Sequence, residues 1–130
     1  MTGITYADIE LIRAADLILV QEGYLSADQI HQVQVSALVD SGASMLTIPR
    51  SLARLLNLQK MDEVQTELAN GEVMQAEVVG PIEVRFANRR ASVDAVVIEA
   101  ETEVLLGAIP MQGMDVMIDP KRERLIVNPD

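Results

Sequence analysis

Ser36-Ala37-Leu38-Val39-Asp40-Ser41-Gly42-Ala43-Ser44 is the stretch around which the rest of the chain reads. An apolar run delivers one carboxylate, then a hydroxyl and a glycine, at the point where a strand must stop and turn. Val33, Val35, Ala37 and Val39 fall on one side and Leu38 on the other, which is the alternation of a buried strand over 33–39. Asp40 at its end rides on a rigid element and reaches into whatever cleft the turn borders. Gly42 lets a second backbone or a ligand approach closely because it has no Cβ. The Ser41 hydroxyl is suited to fixing the loop through backbone hydrogen bonds. Taken alone, the same residues also describe an ordinary Asp-Ser-Gly turn after a strand.

The run Val39-Asp40-Ser41-Gly42-Ala43 resembles the active-site signature of the retropepsin-like aspartic proteases. Leu105-Leu106-Gly107, followed by a helix-like segment, resembles that family's second signature, which packs behind the catalytic loop. The similar region covers 34–130, and short bacterial members of the superfamily are a better match than the viral enzymes. This resemblance implies a mostly β, retropepsin-like acid-protease β-barrel with one or two short helices, one lobe per chain, in a single domain over residues 1–130. It implies that Asp40 is the catalytic carboxylate, that Ser41, Gly42 and Ala43 support the active-site loop, and that each of two chains donates one Asp. Viral members place an Asp directly after the first signature and an Arg directly after the second-signature glycine, as an ion pair. Here those positions are Ser44 and Ala108. Losing both partners avoids a buried unpaired charge but removes a tie that supports the dimer.

An aspartic mechanism needs two carboxylates, and one chain supplies one in this context. A two-fold axis through the cleft provides the second across an isologous interface. Two carboxylates about 3 Å apart repel by roughly 5 kcal/mol at an effective dielectric near 20, so the pair holds one proton between them, as is established for aspartic proteases. The implied function is an aspartic endopeptidase that hydrolyses extended peptides as a homodimer without a cofactor. Two other readings use the same residues: a catalytically silent scaffold of this fold that binds peptides or partners, and a structural domain in which Asp40-Ser41-Gly42 is only a turn.

Outward from the signature, the clearest hairpin signal is a strand over 64–69, Asn70-Gly71, and a strand over 72–79. Asn-Gly accepts the positive φ angles of a tight two-residue turn. By resemblance and position this ribbon is a flap, with Asn70, Gly71, Glu72 and Met74 near its tip. Met45-Leu46-Thr47-Ile48 continues apolar, Pro49 suits the first position of a helix, and Leu52, Leu55 and Leu56 recur at helical spacing for packing on the core. Arg50 and Arg54 read as solvated. Gly80-Pro81 ends the ribbon, 82–86 and 91–98 form strands around a solvated turn at 87–90, and 115–119 with 124–128 form a terminal strand pair, which the family resemblance makes a candidate dimer element. Residues 4–20 mix periods and read as one or two strands or a helix. Ser26-Ala27-Asp28-Gln29 has capping-box spacing for a short helix or turn, and His31 reads as a solvated side chain.

The composition bounds the chemistry. The chain has 130 residues, 49% of them hydrophobic, and no cysteine, so disulfides, thiolate zinc sites and a cysteine nucleophile are excluded together. Glu99, Glu101 and Glu103 alternate, but no calcium-loop pattern accompanies them, and no metal is expected. Met111, Met114 and Met117 read as core fillers. A net charge of −10 disfavours nucleic acid, and its simplest meaning is solubility. No basic stretch precedes a long apolar run, so neither a membrane partner nor export is indicated, and a cytoplasmic location is the expectation.

Overall fold

The computed structural model describes residues 4–67 and 70–129. Among the described residues nine strands run β1 Tyr6–Arg13, β2 Gln32–Val39, β3 Leu46–Pro49, β4 Gln59–Glu67, β5 Val73–Phe86, β6 Arg89–Ile98, β7 Val104–Leu106, β8 Val116–Asp119 and β9 Arg124–Val127. Three short helices, rather than one or two, are α1 Ala14–Gln21, α2 Arg50–Leu55 and α3 Ala108–Met114, with a 3-10 turn over Ala27–Gln29. Six strands follow the order β1-β2-β7-β3-β6-β5, and β5 pairs back onto β1, so the sheet closes into the mostly β barrel that the sequence implies. Closure removes the open edges of those six strands. β4 lies outside the ring on β5, and β8 with β9 forms a separate two-stranded sheet.

The barrel interior is aliphatic. Ile9 and Leu11 of β1, Leu46 and Ile48 of β3, Ile82 and Val84 of β5, Val97 of β6 and Leu106 of β7 are all fully buried in one cluster. Each such side chain contributes about 1.5–3 kcal/mol by leaving water. α2 adds Leu52 and Ala53, and Leu56 follows at its C-terminal cap, whereas Leu55, expected to pack inward, is 59% exposed, because the face of so short a helix that carries 52, 53 and 56 is the one turned to the barrel. Pro49 is the residue before the helix, not its first residue.

β5 carries the largest departure from the expected strand pattern. Gly80-Pro81 does not end the ribbon: 73–80 pair with β4, 82–85 pair with β1, and the strand is continuous. Pro81 has no N–H to donate, and it sits where the β5–β6 register shifts between Val79 and Ile82, so no ladder bond is lost. At the other end of the ribbon Glu67 pairs with Val73, leaving the five residues 68–72 between them. A two-residue turn at Asn70-Gly71 would be closed by residues 69 and 72, and the described pairing ends at Glu67 and Val73. The 68–69 end of the expected first strand lies outside the described residues. The tight two-residue connection occurs at Ala87-Asn88 between Phe86 and Arg89, with Ala87 at φ +52°.

Several charged side chains expected to be solvated are tied into the fold. Arg50 pairs with Glu77 of β5 and with Glu99, joining α2 to the ribbon and to the segment before β7. Arg89 donates to the Asn128 carbonyl at 2.7 Å, holding the end of β9. His31 is not simply solvated, since its amide donates to Asp16 at 2.8 Å and its ring Nδ1 lies 2.7 Å from the same oxygen. Asp16 is only 2% exposed and also accepts from Arg13, whose Nε donates to the Asn57 carbonyl. That carboxylate fastens the end of β1 and the residue before β2 to α1, and Arg13 extends the cluster to the segment after α2. Met111 and Met114 are buried, but Met117 is 47% exposed, because alternation along β8 turns it away from Val116.

Burial alone would raise the Asp16 pKa, but the His31 amide and ring and the Arg13 guanidinium together hold it below the ordinary 3.8. A depressed carboxylate stabilises the fold above its unfolded value, and the contribution fades as pH falls through the lower folded value. Asp16→Asn is expected to lower unfolding stability by about 1–3 kcal/mol at neutral pH. In denaturant titrations the gap between the two proteins should shrink as the pH is taken below 3.8.

Candidate active site

Asp40 is placed by backbone, one residue beyond β2. β2 runs parallel to β7 with Leu38 opposite Leu105 and Val39 opposite Leu106. The Asp40 amide extends that ladder by donating to the Leu106 carbonyl at 3.0 Å. Behind it, Val39 is buried and donates to the Thr5 carbonyl at 2.8 Å. The turn then closes on itself, with Ala43 N–H donating to the Asp40 carbonyl at 3.1 Å and Gly42 N–H donating to Asp40 Oδ1 at 3.0 Å. Asp40 is half-buried, and among the described residues its second carboxylate oxygen has no hydrogen-bond partner. Ser41 and Gly42 are exposed, Ala43 is half-buried, and the Ser41 hydroxyl makes no hydrogen bond within the described chain.

Leu105, Leu106 and Gly107 lie directly against this loop. Leu106 is fully buried in the barrel core, and Leu105 sits opposite Thr47 of β3. Gly107 precedes α3, and a Cβ there would come within 2.8 Å of the Ala43 carbonyl oxygen and 2.9 Å of the Met45 amide, and closer still to the Met45 carbonyl. All three obstacles are backbone, so only glycine fits. The first amides of α3 have no partner inside the helix. They donate to the loop instead, Ala108 N–H to the Ala43 carbonyl and Ile109 N–H to the Ser44 carbonyl, both at 2.8 Å. Each bond contributes about 1 kcal/mol net, and none needs a charged side chain at Ser44 or Ala108.

The four hairpin residues are elsewhere. Asn70, Gly71, Glu72 and Met74 are exposed at the outer end of the β4–β5 ribbon, with Gly71 at φ +85° and Glu72 N–H donating to Asn70 Oδ1 at 3.0 Å. Among the described residues no hydrogen bond or ion pair joins them to the 40–44 loop. Ser41 borders a shallow, mostly apolar depression whose other lining residues are Ala108, Met111, Gln112, Val116, Met117 and Ile118. The sequence reading missed Met117 there, although strict alternation after the buried Val116 would have turned it outward. Glu99 and Glu103 are engaged with Arg50 and the Tyr6 hydroxyl. Among the described residues no cluster of three or more His, Asp or Glu side chains is placed to hold a metal ion, and no helix is long and apolar enough to cross a membrane.

Residues 28–109 match the sequence profile of a family described as aspartyl protease, a span that contains both the 40–44 loop and 105–107. No curated protein matches the chain significantly. Among solved structures, the retroviral protease-like domain of Ddi1 from Leishmania major is similar at a TM-score of 0.59 and 19% identity, over 100% of this chain and 92% of that one. A retropepsin-like aspartic protease from Rickettsia conorii is similar at 0.53 and 17%, over 92% and 89%. The simian foamy virus protease is similar at 0.52 and 13%, over 83% and 92%. At these identities the structures speak for the fold, while the profile covers well over half of the chain and carries the two loops that the barrel brings together. The chain belongs to the aspartyl protease family, with a retropepsin-like fold.

Proposed function

We infer that the protein is an aspartic endopeptidase that works as a homodimer, with Asp40 of each copy meeting the other across a two-fold axis. The observation that carries this reading is the mounting of Asp40. Its amide is held by Leu106, its loop is held by the first amides of α3, and one carboxylate oxygen is held by Gly42 while the other has no partner among the described residues. A general base must be fixed and yet leave a lone pair for water.

In the paired site one proton is shared. The ionised carboxylate takes a proton from a bound water, which attacks the peptide carbonyl, while the protonated partner donates a hydrogen bond to the carbonyl oxygen. The unpartnered Ser41 hydroxyl supports a role in bonding to the other copy's loop. The exposed Met117 beside it, and the β8–β9 pair that carries it, support the same face as the dimer contact. The β4–β5 ribbon extends from the barrel as a flap would, and closing it over an extended peptide would exclude water. Asp40 accepting from a backbone amide beside a shallow depression is also what a structural domain with a plain Asp-Ser-Gly turn would display.

Purified protein incubated with a proteome-derived peptide mixture from acid to neutral pH is expected to produce cuts readable by mass spectrometry. Asp40→Asn should reduce their rate by about a hundredfold to ten-thousandfold. The rate should fall on the alkaline side, as the shared proton is lost; cutting that persists unchanged well above neutrality would rule out the dyad. Sedimentation at micromolar concentrations should find a dimer, and monomer alone would leave Asp40 without its partner. Gly107→Ala should cost about 1–3 kcal/mol in stability through overlap with the loop backbone, and should lower the cutting rate even where the protein remains folded.

A further inference from the structure

We propose that the protein selects a lysine or arginine side chain in its substrate through Asp94, a contact that rests on the peptidase reading above. Asp94 lies on β6 opposite the Gly80-Pro81 step, between the Val93–Ile82 and Ala95–Val79 pairs. It lines a groove whose other walls include Met45, Ile109, Pro110 and Ser92, none of them charged. Gly80 makes room for the carboxylate, since a Cβ at that position would overlap Asp94 Oδ1. Among the described residues Asp94 is half-buried and has neither a hydrogen-bond nor an ion-pair partner, and its oxygens remain open to solvent.

An accessible carboxylate in a groove with apolar walls is complementary to a long cationic side chain, whose methylene stem packs on the walls while the head meets the charge. Arg50, Arg89, Arg85 and Arg13 are all engaged elsewhere. The groove begins where the proposed active-site loop ends. Ile109 donates to Ser44, and Met45 is five residues from Asp40, at most about 18 Å of chain. An extended peptide advances about 3.3 Å per residue, so the groove is within about five residues of the bond being cut.

The test compares the intact protein with Asp94→Asn on a proteome-derived peptide mixture. Aligned cuts of the unaltered protein should be enriched in Lys or Arg at one position within about five residues of the cut, and Asp94→Asn should reduce that enrichment about three- to tenfold while cutting continues. Replacing that lysine by norleucine in a cleaved peptide should weaken turnover by a similar factor for the unaltered protein only, a comparison that needs no folded variant. Cuts without basic enrichment, or enrichment that survives in Asp94→Asn, would overturn the proposal and leave the peptidase reading standing. If nothing is cut, the peptidase reading fails. An immobilised peptide array then decides this contact: retention of lysine over norleucine peptides, lost in Asp94→Asn, supports it, and equal retention overturns it.

Discussion

The site depends on a backbone clamp between two segments more than sixty residues apart, 40–44 and 106–109. The Asp40 amide bonds Leu106, and the Ala108 and Ile109 amides bond Ala43 and Ser44, so one loop is held from both ends by a single strand–helix junction. Individually these bonds are modest, about 1 kcal/mol each. Together they fix the direction in which the carboxylate leaves the barrel, because no side-chain rotamer intervenes between the clamp and the Cα of Asp40. The clamp also accounts for Gly107, whose missing Cβ is the space that the Ala43 and Met45 backbone occupies.

Charged side chains divide between those bonded within the fold and those left with an open carboxylate oxygen among the described residues. Asp16 is almost fully buried and spends both oxygens on Arg13 and His31. Arg50 is shared between Glu77 and Glu99 and couples α2 to the ribbon. Asp40 and Asp94, by contrast, are half-buried and keep carboxylate oxygens free of protein partners among the described residues. Both positions adjoin the segment 40–46. The overall surplus of acid reads as solubility, whereas these two positions have a defined geometry.

Some elements were legible because local pattern and tertiary demand agree. The alternation of 33–39 gave β2, and Ser26 with Gln29 gave the capped turn. Others were hidden because the deciding partner is remote. Gly80-Pro81 looks like a terminator in one dimension, but the chain continues as one strand through a register shift against β6. Arg50, Arg89 and His31 read as solvated because their partners are 15 to 49 positions away.

By itself the sequence determined a mostly β chain, the strand that carries Asp40, and a likeness to a family with two signature loops. These are properties of side-chain period and of short contiguous motifs, which do not depend on what lies across the barrel. Only the tertiary structure decided that β7 runs beside β2, that the first amides of α3 grip the loop, that Met117 faces out beside Ser41, and that Asp94 stands open in a groove. Those facts depend on ring closure through β1 and β5, which brings residues far apart in the chain to within hydrogen-bonding distance, and no local pattern encodes that closure.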